Sequence, residues 1–328
     1  MNRIFQRTLI LFLLITVSSP ALSGQMIDLG RSQIISLEKK DPLVMTAITV
    51  LQEEIGKRSN IVLTKGSRFP KQAQSAIIIG LEKGLDKFPT EYQQILASMP
   101  EIKAEGYKIA VVPTNNVVLV VGHDSRGVLY GVGKLLRNLH MTQGQVLLPS
   151  DLEIASSPAF PIRGHQLGYR PKTNAYDAFS VDQFDDYIRD LAVFGANSIE
   201  IMPPRTDDDF TSVHMEIPAF EMIVEQSKIC DRYGMDVWMW YPNMGSDYTN
   251  PDSLQIEIDE RRKIFKALPR LDNLFVPGGD PGDLDPDILF NWLKIEAEVL
   301  REYHPNAKIW VSPQVFRPTQ AWFDTFYG

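Results

Sequence analysis

Asn273-Leu274-Phe275-Val276-Pro277-Gly278-Gly279-Asp280-Pro281-Gly282-Asp283 is the stretch whose reading decides the fold of this chain. A short apolar run stops at Pro277, two glycines follow, and then an acid. This is how a buried strand opens into a tight loop that presents a carboxylate. Gly278 and Gly279 let the backbone bend, or a ligand approach, with no Cβ in the way. Pro286 and the acids Asp283, Asp285 and Asp287 then lead into an apolar-periodic helix over 288–303. Strand, acid and helix make one unit of a parallel α/β enzyme, although the same residue types also fit a plain acidic turn.

Units of the same kind lie on both sides of it. Ile162-Arg163-Gly164-His165 reads as a first strand. Ser180-Val181-Asp182 caps a helix with Phe184, Tyr187, Ile188, Leu191 and Phe194 on one side, closed by Gly195. Strands follow at 198–202, 236–241 and 308–312, with helices over 220–233, 254–268 and from 318 onward. Five β–α units of roughly 30 to 40 residues have the period of a (β/α)8 barrel. Such a barrel needs about 250 residues, and about 170 remain after residue 157. The expectation is an α/β chain whose second half, 158–328, is an incomplete (β/α)8 TIM barrel, from a longer protein rather than an open sheet. Trp322, Phe323, Phe326 and Tyr327 then read as a helix with nothing left to pack on.

The first half has a different pattern. Arg3 and Arg7 precede an apolar run over 9–17, and Pro20-Ala21-Leu22-Ser23-Gly24 supplies small residues for cleavage. Residues 1–24 therefore read as a secretory signal, and the mature protein as exported to the periplasm or beyond, with no membrane span after its removal. Residues 25–157 read as a small α/β sandwich domain. Strands are expected at 33–37, 61–63 and 76–79, with a helix capped by Asp41-Pro42. A hairpin over 107–121 turns at Thr114-Asn115-Asn116. Gly127, Gly131 and Gly133 lie in a predicted helix; they weaken it in isolation and make sense where its face lies very close to the sheet. Their spacing is not that of a dinucleotide site, and no cofactor is expected. Ile154-Ala155-Ser156-Ser157-Pro158-Ala159-Phe160-Pro161 reads as the linker.

Composition narrows the function classes. The 328 residues carry a formal charge of −8 without a Lys/Arg stripe, which argues against a nucleic-acid partner. Cys230 is the only cysteine, so an internal disulfide is excluded, and its helical setting reads as buried core. His165 and His214 lack metal-ligand spacing, and no serine nucleophile elbow is present.

In a parallel barrel, ligands bind at the C-terminal ends of the strands. The residues expected there are Arg163 and His165, then Arg205, Asp207 and Asp208, then Trp240, Tyr241 and Asn243, then Asp280 and Asp283, then Ser312 and Gln314. Rings stack on the apolar faces of sugars, Arg and amides bond hydroxyls, and carboxylates serve glycosidic chemistry. A carbohydrate partner is the reading. Individually the residues have plainer explanations: Trp238 or Trp240 as barrel core, Asp207-Asp208-Asp209 as a solvated loop.

Four segments add a family resemblance. Gly122-His123-Asp124-Ser125-Arg126-Gly127-Val128-Leu129-Tyr130-Gly131 resembles the end of the N-terminal α/β domain in bacterial β-hexosaminidases of glycoside hydrolase family 20 and in α-glucuronidases. Arg163-Gly164, Phe194-Gly195-Ala196-Asn197-Ser198-Ile199-Glu200 and Val276-Pro277-Gly278-Gly279-Asp280 resemble the first, second and fourth strand regions of their catalytic barrel. The resemblance implies an accessory domain followed by a catalytic O-glycosyl hydrolase barrel. It implies Asp280 as the orienting or charge-stabilising carboxylate, Arg163 as a holder of a sugar hydroxyl or carboxylate, and Trp240 or Tyr241 as a wall. One position departs from the family. The motif reads Gly-x-Asp-Glu, with Glu as general acid, and Pro281 stands in its place. The acid then comes from elsewhere, Asp283 being one candidate, or the barrel is a non-catalytic carbohydrate binder. A truncated product unable to fold stably is the third reading.

Overall fold

The computed structural model describes residues 25–70, 74–167, 178–206, 214–282 and 284–327. The expected signal segment and the candidates Asp207, Asp208 and Asp283 lie outside them.

The first half holds strands β1 (Met26–Asp28), β2 (Gln33–Ser36), β3 (Thr64–Gly66), β4 (Ala76–Leu81), β5 (Tyr107–Val112), β6 (Val117–Gly122), β7 (His140–Thr142), β8 (Gln145–Pro149) and β9 (Glu153–Ser156). Its helices are α1 (Pro42–Ser59), α2 (Thr90–Ser98) and α3 (Ser125–Leu136). Six strands form a mixed sheet in the order β3-β2-β4-β6-β5-β9, and β1-β8-β7 form a small antiparallel one. Ala-Ile-Ile-Ile-Gly-Leu of β4 and Val-Val-Leu-Val-Val-Gly of β6 are buried at every position, as central strands covered on both faces must be. Residues of α1 and α3 fill one face, and Phe88, Tyr92 and Leu96 the other.

Local chemistry sets the helix starts. The Asp41 carboxylate accepts from Leu43 N and Val44 N, with Pro42 at the first helical position. Asp124 accepts from Gly127 N to start α3. The α3 glycines do allow close approach. A Cβ at Gly131 would stand 2.9 Å from Val120 on β6, and one at Gly127 would overlap the Gly106 carbonyl.

Two expectations for this half are corrected, and three strands are added. The strand expected at 61–63 forms instead at Thr64–Gly66. The strands β1 and β7, three residues each, are too short for a periodic signal, and β8 completes their small sheet. Ile154, Ala155 and Ser156 are not linker: they pair with β5 as part of β9, so the sheet takes up the start of the expected boundary segment.

The second half alternates β10 (Gly164–Gln166), α4 (Val181–Val193), β11 (Ser198–Ile201), α5 (Ala219–Arg232), β12 (Asp236–Trp240), α6 (Pro251–Ala267), β13 (Asn273–Pro277), α7 (Pro286–Tyr303), β14 (Lys308–Ser312) and α8 (Gln320–Tyr327). The five strands are parallel and lie side by side in chain order. Parallel neighbours joined in chain order by helical crossovers of one hand carry the connecting helices on one face, as in a (β/α)8 barrel. Among the described residues β10 and β14 are the two edges, so the arc is open. The C-terminal aromatics do find a surface. Trp322 is 4% exposed and stacks on Phe316 at 3.9 Å, and Phe326 meets Phe290 of α7. Cys230 is fully buried, as its setting implied. No helix among the described residues is long and apolar enough to cross a membrane.

The two halves join at the N-terminal ends of the barrel strands. Glu105 from the first half is bonded by Arg126 (2.8 Å), Arg163 and Asn197. Arg126 also reaches Asp236 at the start of β12 and the Gly234 carbonyl. A Cβ at Gly133 of α3 would overlap the Val193 carbonyl at the end of α4, so this glycine serves the joint rather than the sheet.

Candidate functional site

Successive side chains of a strand point to opposite faces, and residues paired across parallel strands share a face. The registers Gln166↔Glu200↔Trp238↔Asn273↔Lys308 therefore place one row of side chains on the face away from the helices. Trp240↔Phe275↔Trp310 forms a second row nearer the C-terminal ends. Of the alternate set, Ile199, Val237 and Leu274 are completely buried beneath the helices, while His165 and Ile309 on the edge strands are partly buried.

The helix-free face is aromatic and polar. Gln166 Nε2 donates to Glu200 Oε1 at 2.8 Å. Trp310 Nε1 donates to Asn273 Oδ1 at 2.8 Å, and the Trp238 and Trp310 rings lie 5.2 Å apart. Trp310 remains 42% exposed. Burial raises the Glu200 carboxyl above its ordinary pKa, and the hydrogen bond from Gln166 offsets part of that rise.

At the C-terminal end of this face, β13 turns through Gly278 and Gly279 into Asp280. The Phe316 ring occupies the space a side chain at Gly278 would fill, and the Val315 carbonyl lies where a Cβ of Gly279 would be. The loops after β13 and β14 thus pack directly on one another. Gln314 Nε2 donates to Asp280 Oδ2 at 3.2 Å, and Gln314 N donates to Ser312 Oγ at 3.1 Å. Asp280 and Gln314 are exposed. Of the residues expected in the site, Asp280, Ser312, Gln314 and the 8%-exposed Trp240 share this rim.

Three others sit at the same end but turn into the helix layer. Tyr241 is fully buried, donates to Glu260 Oε1 at 2.6 Å and carries the Arg261 guanidinium over its ring at 3.7 Å, so it is no wall for a ligand. One residue of strand parity separates it from Trp240. Burial and Glu260 push its hydroxyl well above the ordinary range. Arg205 is clamped by Glu257, with Glu260 3.4 Å away. Asn243 is 2% exposed and accepts from Trp292 Nε1 at 2.9 Å. These residues belong to a charge network on α6 and α7. Arg261, wholly buried, bonds Glu257 at 2.8 Å and Glu296 at 2.7 Å. Burial tends to raise the Glu257 carboxyl, but Arg205 and Arg261 outweigh it and hold the pKa below its ordinary value.

Two expected residues are misplaced by the sequence reading. His165 meets Tyr187 OH at 2.9 Å on α4, because its strand position has the parity of the helix face. Arg163 precedes β10, at the N-terminal end of the sheet. Its guanidinium binds Glu105, the Gly195 carbonyl (2.7 Å) and the Phe160 carbonyl (2.8 Å), and the Tyr130 ring lies 5.5 Å from it. It holds the two halves together at the end opposite Asp280. Conversely, Gln166, Glu200, Phe275 and Trp310 escaped the sequence reading. A two-residue period applied to each strand is the signal that finds them.

Residues 28–135 match the family profile described as the glycosyl hydrolase family 67 N-terminus. No curated protein sequence matches the chain. Solved structures similar in fold include the β-hexosaminidase of Streptomyces plicatus, at 11% identity and a TM-score of 0.61, covering 88% of this chain and 62% of that one. The GH20 β-N-acetylhexosaminidase of Streptomyces coelicolor A3(2) is similar at 13% identity and TM-score 0.61, over 88% of this chain and 63% of that one. The chitobiase of Flavobacterium johnsoniae is similar at 14% identity and TM-score 0.60, over 88% and 50%. The chain thus spans between half and two thirds of the length of these proteins, and it shares their fold.

Proposed function

We propose that this chain acts on carbohydrate as a glycoside hydrolase, with the sugar lying on the helix-free aromatic face and the chemistry at its Asp280 end. The observation that carries the reading is that face itself: Trp238, Trp240, Phe275 and Trp310 lie on one side of the sheet, which ends at an exposed carboxylate bonded to an amide. Indole faces stack on sugar C–H surfaces, and a carboxylate with an amide partner can orient a substituent or stabilise positive charge at the anomeric carbon. The glycosyl hydrolase profile over 28–135 and the hexosaminidase fold support the same reading. Proline has no proton to give, so the general acid is not the residue after Asp280.

The test is turnover of a panel of aryl glycosides by the protein and by Asp280→Ala. The variant is expected to lower kcat/KM at least about tenfold with an unchanged melting curve. Absence of turnover on every sugar would refute the reading. Pro281 favours a second one, a barrel that binds carbohydrate without cleaving it, and oligosaccharide binding in calorimetry without turnover would establish that.

A further inference from the structure

The hexosaminidase and glucuronidase likenesses point to sugars of different charge, one neutral and one anionic. The helix-free face bears on that choice. Glu200 lies on β11 between Gln166 and Trp238 in the same row, partly buried, with one carboxylate oxygen held by the Gln166 amide at 2.8 Å. Gln166 is the last residue of β10, so at this side of the arc the row lies at the C-terminal edge of the sheet. Amide, carboxylate and indole side by side supply a donor, an acceptor and a stacking surface, the set a pyranose ring uses.

Three arginines of the chain that could receive a uronate are committed elsewhere. Arg205 is held by Glu257, Arg261 is buried between Glu257 and Glu296, and Arg163 is bound to Glu105 at the opposite end. Lys308 lies at the start of β14, the far edge of the row. Among the described residues the carboxylates on this face are Glu200 and, at the rim, Asp280.

Resting on the carbohydrate reading above, we propose that Glu200, with Gln166 and Trp238, is a specificity-determining subsite that takes the hydroxyls or amino group of a neutral or amino sugar and rejects a uronic acid. A carboxylate accepts hydrogen bonds from hydroxyl and ammonium groups and repels a second carboxylate. The repulsion is weakly screened because Glu200 is partly desolvated, the condition that also raises its pKa.

The experiment is calorimetry of the whole chain with N-acetylglucosamine, glucosamine and glucuronate at neutral pH, repeated on Glu200→Gln and Gln166→Ala, with thermal melts of each. Glu200→Gln keeps the shape and removes the charge. The native chain is expected to prefer both amino sugars to glucuronate, and Glu200→Gln to narrow that preference by about tenfold, the size of a like-charge repulsion relieved at a partly buried position. Gln166→Ala should weaken the amino sugars and leave glucuronate excluded. Sugar binding with a preference that neither variant alters, or tighter binding of glucuronate by the native chain, overturns this inference and leaves the carbohydrate reading standing. Failure of every sugar to bind, together with no turnover of aryl glycosides, overturns the carbohydrate reading and this inference with it.

Discussion

Replacing Arg163 by alanine separates two roles for one side chain. If Arg163 held substrate, the variant would lose activity and keep its stability. The structure instead makes it a joint between the two halves. The side chain is 21% exposed and donates to the Glu105 carboxylate and to the Gly195 and Phe160 carbonyls. A hydrogen bond involving a charged group is worth about 1.5–3 kcal/mol. The three are not additive, because Arg126 and Asn197 still hold Glu105 and the carbonyls near the surface can take water. A loss of about 2–4 kcal/mol follows, or roughly 3–6 °C in Tm for a chain of this size. Acid dependence gives a second readout. Burial tends to raise the Glu105 carboxyl, but Arg126, Arg163 and Asn197 outweigh it, so the folded pKa lies below the unfolded one. Such a group contributes stability that is complete above the unfolded value of about 4.3 and is lost as pH falls through the folded value. Arg163→Ala should shrink that acid-side contribution, and Arg163→Lys should restore part of the stability without the forked geometry. Urea melts between neutral pH and pH 3 measure both effects. An unchanged melting curve with kcat/KM reduced more than tenfold would refute the argument and return Arg163 to the substrate.

Two further substitutions probe the packing that positions the site. Gly133→Ala adds one methyl where the Val193 carbonyl already stands, so it should cost about 1–3 kcal/mol in a urea melt, whereas Gly144→Ala meets no neighbouring atom and is charged only for its positive φ. Arg261→Met leaves Glu257 and Glu296 without their shared cation inside the α6–α7 packing and should cost about 3–5 kcal/mol by the same measurement, with Arg261→Met combined with Glu296→Leu recovering much of it.

The parallel half-barrel was legible because its signals are local and repeated. A strand such as 273–277 is an apolar run closed by Pro and Gly, and Ser180 forms a full capping box with Gln183. What escaped was pairing over distance. The stretch 154–156 looks like a linker until β5 is there to bond it, and Arg163 looks like a rim residue until Glu105, 58 residues earlier, is brought to it. The three glycines of α3 announced close packing but not its partners: two face the first half and Gly133 faces α4 of the second.

Within the site, the misreadings share one cause. Tyr241, His165 and Glu200 stand beside residues of opposite parity, and in a strand one step along the chain exchanges a helix-facing position for a helix-free one. Residue type alone ranked Tyr241 with Trp240 and His165 above Gln166. The ladder separates them: Trp240 pairs with Phe275 on the aromatic face, while Tyr241 donates to Glu260 on α6. Glu200 was hidden for the same reason, as the one carboxylate of the Ser-Ile-Glu-Ile strand, set between two isoleucines. Ile199 and Ile201 commit the strand's other face to the core, which leaves Glu200 opposite the helices, next to an amide and an indole, and a partly buried carboxylate there costs stability unless something it binds offsets the desolvation.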